Sequence, residues 1–216
     1  MQTALIFLAI GVLGLGAIAA WQRSQRMALE REREVRGFVF PSGLLQKFHD
    51  KHPDLSPKEV QLTAQALRQF FLVLLRAHRQ PVAMPSKAAD TLWHAFSLET
   101  HAYAAFCKAA FGTDLHHKPA RGMGSASADP QTTWRTWQLA CLEENIDPAK
   151  ASRLPLLYAL DAKLRFPGAV IHDPSSFKPP RDADGSSSGS DNSSSNDRSS
   201  CGDGDGGGDG GGGGGD

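Results

Sequence analysis

The sequence is poor in the residues that build disulfide frameworks, β-sheets and nucleotide sites. Its 216 residues contain three cysteines, Cys107, Cys141 and Cys201, with no CxxC pair, and an odd number of dispersed cysteines is typical of reduced thiols. No run of alternating β-branched residues predicts a strand. No Walker loop, GxGxxG or GxSxG motif precedes the glycine-rich C-terminus, so nothing indicates nucleotide binding or serine hydrolysis.

The sequence also has no excess of charge of one sign. Lysine plus arginine and aspartate plus glutamate both number 23, and the formal net charge is zero. A nucleic-acid-binding domain would show clustered lysine and arginine on one face, so no nucleic-acid partner is predicted. The charge is segregated instead, because residues 22–36 hold five arginines and three glutamates, whereas residues 181–216 hold two arginines and eight aspartates.

The first 22 residues, MQTALIFLAIGVLGLGAIAAWQ, are apolar and carry no charged side chain. About 20 apolar residues in a helix span the hydrocarbon core of a bilayer. We therefore predict a transmembrane anchor at residues 1–22, in contact with the membrane through residues 3–21. A cleavable signal peptide is the alternative, since Ala17 to Ala19 offers a small-x-small site, but the positive region that precedes the apolar run of such peptides is missing.

The positive charge near this run lies entirely on its C-terminal side, within residues 23–36, which we predict to be a charged juxtamembrane helix. The arginines are Arg23, Arg26, Arg31, Arg33 and Arg36. By the positive-inside rule such a flank stays in the cytoplasm. The sequence therefore predicts a single-pass signal-anchor protein of the inner (cytoplasmic) membrane, with its C-terminal domain in the cytoplasm.

Residues 37–173 show helical signals throughout. Ser56, Pro57 and Glu59 predict a capping box at the start of a helix, and an apolar stripe at helical spacing follows them. Ser86 can cap another helix, and Gly112 is placed where that helical segment should stop. Together with one short helix earlier in the chain and two later ones, these signals predict an all-α domain, an irregular bundle of about five helices.

Residues 174–216 consist mainly of serine, glycine and aspartate. Such a segment cannot bury enough apolar surface to offset the entropy lost on ordering, so we predict a disordered acidic tail. Its Asp-Gly alternation does not predict a calcium-binding repeat, because the apolar residue that such a repeat needs for its strand is absent.

The segment DTLWHAFSLETHAYAAFCKAAFGTDLHHKP, from Asp90 to Pro119, concentrates the candidate metal ligands. These are Asp90, His94, His101, His116 and His117. In one straight helix the first three would share a stripe, and a histidine after Gly112 could complete a zinc or iron site. A helix break at Ser97 would destroy that alignment, with Ser97 as the cap of the next helix. The alternative is then a local Asp90–His94 polar pair beside a predicted core of Leu92, Trp93, Phe96, Tyr103, Phe106 and Phe111.

The same segment resembles the glycine-rich domain-containing protein-like family, found in bacteria and plants. The matching residues are Asp90, Trp93, His94, Tyr103, Phe106, Cys107, Phe111, Gly112, His116, His117 and Pro119. Many relatives have a second histidine at the place of Phe96. The resemblance implies a helical domain, with the glycine-rich C-terminus in agreement, and implies no particular activity.

Two classes of function follow from the sequence. One is a membrane-tethered interaction module that binds an unidentified protein and needs no cofactor. The other is a metal-binding protein or metal-dependent enzyme with zinc or iron at the candidate ligands. Helix continuity through Ser97 distinguishes the two, and enzymatic activity is left open.

Overall fold

Seven α-helices and no strand form the part of the chain that the computed structural model describes, which is residues 2–115 and 129–179, with the backbone alone for residues 2–13. The helices are α1 (Gln2–Gly37), α2 (Ser42–Lys51), α3 (Pro57–Arg76), α4 (Lys87–Ser97), α5 (Thr100–Phe111), α6 (Pro130–Glu143) and α7 (Leu156–Leu164). The predicted all-α class is confirmed. The compact unit spans Met1–Arg181, and a second unit, Asp182–Asp216, lies outside the described residues.

The predicted transmembrane helix receives no support from the fold. Where side chains are described, no helix is both long and apolar enough to cross a membrane. Residues 3–13, the first part of the predicted anchor, lie outside those side chains. What the backbone does show is that the apolar run and the charged stretch after it form one helix, α1.

Helix α3 lies at the centre of the domain and contacts α1, α2, α4, α6 and α7. It begins as predicted, because the Ser56 hydroxyl accepts a hydrogen bond from the Glu59 backbone N–H at 3.4 Å, and the Glu59 carboxylate accepts one from the Ser56 N–H at 2.7 Å. This capping box satisfies two amides that the helix itself leaves open. The core around α3 is fully buried at Leu67, Phe70, Phe71, Trp137 and Leu157.

A buried carboxylate of α7 holds the start of α4. Asp161, 1% exposed, accepts hydrogen bonds from the Ser86 hydroxyl at 2.6 Å, the Lys87 N–H at 2.6 Å and the Ala88 N–H at 3.1 Å. The Ser86 hydroxyl in turn accepts from the Ala89 N–H at 3.1 Å, which confirms Ser86 as the cap of α4. The negative carboxylate lies at the helix N-terminus, where the peptide dipoles favour it.

A second polar group holds the start of α7. The Gln69 amide donates to Glu144 at 3.0 Å and accepts from the Leu157 N–H at 2.8 Å. Arg153 and the Leu156 N–H also donate to the Glu144 carboxylate. Burial alone would raise the pKa of Glu144, but these donors outweigh it and the pKa lies below its usual value.

The packed chain extends beyond the predicted start of the tail at residue 174. Residues Pro174–Ser176 form a short 3-10 helix. The ring of Phe177 stacks on Trp137, with centroids 4.2 Å apart and planes 8° apart. The rest of the predicted disordered tail, from residue 180, lies outside the described residues.

Candidate functional site

The histidine-rich segment divides into two helices. Helix α4 ends at Ser97 and α5 begins at Thr100, with Glu99 at a non-helical ψ of 68°. The Ser97 hydroxyl donates back to the His94 carbonyl at 2.7 Å, so Ser97 closes α4 and does not cap α5 as predicted. One straight helix from Asp90 to His101, the condition for the metal stripe, is therefore absent.

The candidate metal ligands occupy different environments. Asp90 is buried in the first turn of α4, His94 is exposed on α4, and His101 is exposed on α5. Within residues 2–115 and 129–179, no three histidine, cysteine, aspartate or glutamate side chains are grouped so that they could hold a metal ion. The other two predicted ligands, His116 and His117, lie outside these residues, as does Pro119. The Asp90–His94 polar pair stays a prediction.

Metal analysis tests the metal hypothesis directly. Because the break separates His94 from His101, we expect a chelator to leave the thermal midpoint of the purified protein unchanged, and elemental analysis to find no stoichiometric zinc or iron. His78→Gln, at another exposed histidine, serves as the control for His94→Gln. Stoichiometric metal in the wild type that disappears in His94→Gln and persists in His78→Gln would contradict this expectation.

The predicted core residues of the segment pack as an aromatic cluster. Trp93 and Phe106 are buried, while Tyr103 and Phe111 are half-buried. The Trp93 ring lies 5.3 Å from that of Phe70. The Trp93 indole N–H donates to the Tyr103 hydroxyl at 3.0 Å, and that hydroxyl donates to the Leu115 carbonyl at 2.9 Å. The chain of hydrogen bonds joins α4, α5 and the segment after α5.

The two cysteines in the described residues are buried thiols. Burial raises the pKa of Cys107, although the Leu115 backbone and the Tyr103 hydroxyl act in the opposite direction. Burial likewise raises the pKa of Cys141 to about 12. Because the thiolate is the reactive form and a raised pKa disfavours it, both side chains are small apolar residues of the core.

The end of α1 inserts directly into the aromatic cluster. Val35 is completely buried, and the chain then places Phe38 4.4 Å from Phe106, centroid to centroid. The Arg68 guanidinium donates to the Phe38 carbonyl at 2.7 Å and lies 5.7 Å from the centroid of the Phe40 ring. We call this region, from Arg31 to Phe40 with the side chains it contacts, the α1 junction.

Four charged side chains of alternating sign tie the α1 junction to α3 and α6. Glu143 of α6 binds Arg36 at 2.5 Å and Arg76 of α3 at 2.7 Å. Glu32 binds the same two arginines, at 2.7 Å and 3.3 Å, and these contacts lower the pKa of Glu32, with the Arg36 hydrogen bond as the largest cause. An isolated ion pair on the surface contributes little to the free energy of unfolding. In this closed network each arginine contacts both carboxylates, which fixes the positions of all four side chains more strongly.

Helix α1 also contacts the end of α5. Gly112, the predicted stop of the segment, has φ +71° and closes α5 in the left-handed conformation. A Cβ atom at Gly112 would lie 2.7 Å from Nη2 of Arg31. Glycine therefore allows both the turn and the close approach of the Arg31 guanidinium to the carbonyl end of α5, where a cation is favoured.

Sequence reasoning did not identify the α1 junction as a site. The four-residue spacing of Glu32 and Arg36 was the one local signal for it. Glu143 lies 107 residues from Arg36 in the chain, and no spacing rule connects them. The same holds for Asp161 and Ser86, which are 75 residues apart.

Comparison with known proteins corrects the family predicted from the motif. The UCP032817-like family model matches residues 30–191, which includes the end of α1 and all later helices. No curated protein and no solved structure matches the chain. The resemblance to the glycine-rich domain-containing protein-like family is wrong, because no such family is found, and the run of glycines near the C-terminus lies beyond the matched residues. The chain belongs to the UCP032817-like family.

Proposed function

We propose that the chain is a single-pass membrane protein that holds a small helical interaction domain at the cytoplasmic face of the inner membrane. The observation that carries this proposal is the continuity of α1. One helix of 36 residues, about 54 Å long at 1.5 Å per residue, contains both the apolar run and the helical part of the α1 junction, from Arg31 to Gly37. A partner that binds the first half of α1 would therefore also fix the position of the domain.

The exposed side chains of α1 support a membrane as its partner. Leu15, Ile18 and Trp21 are 70%, 54% and 64% exposed, and they continue the apolar run of residues 3–13. Exposed apolar surface costs about 25 cal/mol per Å² relative to burial, and a contiguous stretch of it marks an interaction site. A bilayer matches an apolar stretch of this length, and Trp21 lies where an interfacial aromatic residue is favoured.

The arginines support the orientation. Arg23 and Arg26 follow Trp21 by less than two turns and are exposed, whereas Arg36 is bound to Glu32 and Glu143. Two exposed cations beside an interfacial aromatic residue suit the anionic cytoplasmic leaflet. The domain then begins at Arg31, the first half-buried residue after residue 13.

An interaction role fits the chemistry of the domain better than catalysis does. The buried carboxylate of Asp161 is occupied by the start of α4, and the half-buried carboxylate of Glu144 by the start of α7. Glu143 is bound by two arginines. A general base needs an acceptor atom that can face the substrate. The oxygens of these three carboxylates bind groups of the protein itself.

Charged substitutions in the apolar run test the membrane anchor. One aspartate at the centre of a transmembrane helix costs about 2.5–3.5 kcal/mol on insertion scales. We expect Ile10→Asp combined with Leu13→Asp to move the full-length protein from the membrane pellet to the soluble fraction after cell lysis. Immunoblotting of the two fractions measures this shift.

The matched control is Met27→Asp combined with Leu29→Asp, which changes two exposed residues further along the same helix. We expect this variant to stay in the membrane pellet, because these positions lie within the charged stretch. Soluble wild-type protein, or equal release of both variants, would contradict the proposal.

A further inference from the structure

The segment after α7 folds back over the domain. We call residues 169–179 the C-terminal strap. Two of its side chains contact the rest of the domain: the His172 ring bonds the Pro85 carbonyl, before α4, through Nε2 at 2.9 Å, and the Phe177 ring stacks on Trp137 of α6 at 4.2 Å. In the described residues, this His172 contact is the one hydrogen bond between the strap and the segment that joins α3 to α4.

The site under the strap is built by residues that precede the strap in the chain. The Trp137 indole N–H donates to the Pro148 carbonyl at 3.0 Å, which fixes its ring without the strap. Tyr158 of α7 meets that ring edge to face, with centroids 5.2 Å apart. Phe177 lies on the face of Trp137 and 5.0 Å from Tyr158. We call Trp137, Tyr158 and the Pro85 carbonyl the aromatic site.

Apart from the Ala169 N–H, which donates to the Phe166 carbonyl at 3.1 Å where the chain leaves α7, the strap makes its other hydrogen bonds internally. The Asp173 carboxylate accepts from the Ser175 N–H at 2.8 Å, and backbone bonds from Ser176 to Asp173 and from Phe177 to Pro174 close the turn. This turn presents His172 and Phe177 on the same side. No residue of the strap is fully buried, and Ile171 is 70% exposed. The strap therefore resembles a bound peptide more than a layer of the core.

We propose that the aromatic site is a peptide-binding site, occupied in this structure by the chain's own strap. Its ligand is a short turn-forming segment with a phenylalanine five residues after a histidine. Gly168, with φ +71°, connects α7 to the strap at a position where other side chains are strained, and it supplies the hinge about which the strap leaves. The partner that supplies the same sequence in trans is the strap of a second copy of this chain.

Competition between strap and peptide tests this proposal. The probe is a fluorescein-labelled peptide of residues 170–180, VIHDPSSFKPP, and the readout is its anisotropy with full-length protein. A tethered segment competes at an effective concentration in the millimolar range. We therefore expect Phe177→Ala to bind the peptide at least about tenfold more tightly than the wild type does. A peptide with alanine in place of Phe177 should bind at least about tenfold more weakly.

Ile171→Ala is the matched control, because Ile171 belongs to the strap and is exposed. It should bind the peptide as weakly as the wild type does. Equal binding of the peptide by wild type and Phe177→Ala would overturn the proposal. So would loss of cooperative thermal unfolding in both Phe177→Ala and Phe177→Leu, since the strap would then be part of the core and not an exchangeable ligand.

Discussion

Replacing Trp93 with alanine is expected to lower the free energy of unfolding by about 3–5 kcal/mol, a large part of the stability of a domain of this size. Trp93 is 8% exposed and packs against Phe70 and Phe71. The substitution also removes the donor to the Tyr103 hydroxyl. Urea denaturation followed by circular dichroism measures the loss.

Two variants separate the packing of Trp93 from its hydrogen bond. Tyr103→Phe keeps the ring and removes the hydroxyl between Trp93 and Leu115, so we expect a smaller loss of about 1–3 kcal/mol. Trp21→Ala removes a tryptophan that is 64% exposed and should leave the free energy of unfolding within about 0.5 kcal/mol of the wild type. Similar losses in Trp93→Ala and Trp21→Ala would show that Trp93 is not a core residue.

Replacing Asp161 with alanine is expected to destabilise the domain by about 3–5 kcal/mol. The change leaves the Lys87 and Ala88 amides and the Ser86 hydroxyl without their acceptor, and each unsatisfied buried group costs about 1–3 kcal/mol. It also removes the negative charge at the N-terminus of α4. Equilibrium urea unfolding gives the free energy.

The matched control for Asp161 is Asp147→Ala. Asp147 is an exposed aspartate that also accepts a backbone bond, from the Ala149 N–H at 2.9 Å, so its loss should cost less than about 1 kcal/mol. Asp161→Asn should fall between the two, because the amide oxygen still accepts while the amide N–H₂ faces donors. Equal free energies of unfolding for Asp161→Ala and Asp147→Ala would contradict this expectation. They would mean that water accepts the hydrogen bonds that the Asp161 carboxylate accepts in the wild type.

The features that could be predicted from the sequence are those set by residues a few positions apart. The Ser56 capping box, the Ser86 cap and the Gly112 stop each depend on one turn of helix. The break at Ser97 is of the same kind, although its detail differs from the prediction because the Ser97 hydroxyl bonds backward to His94.

The surroundings of the candidate site could not be predicted, because they are formed by residues far apart in the chain that no spacing rule connects. The histidines drew attention to Asp90 through Pro119, yet this segment is contacted by Arg31 at Gly112 and by Phe38 at Phe106, and both belong to the α1 junction. Glu143 reaches both Arg36 and Arg76 only because α1 and α6 both pack on α3. The same limit applies to the strap, since a phenylalanine among serines and prolines gave no sign that it stacks on Trp137.

The α1 junction would connect the proposed anchor rigidly to the helical domain. Val35 is buried and Arg36 is bound to Glu143, so the domain is joined to the apolar half of α1 by a helix and not by a flexible linker. A domain joined in this way keeps one face toward the surface that holds α1.

Topology in intact cells tests the central claim most directly. Two fusions after Asp216 are compared: a fluorescent protein that matures only in the cytoplasm, and a phosphatase that is active only outside it. The account predicts that the fluorescent fusion is bright in the membrane fraction and the phosphatase fusion is inactive, because the arginines after the apolar run retain that flank in the cytoplasm. An active phosphatase with a dark fluorescent fusion, or a bright fusion found only in the soluble fraction, would contradict it.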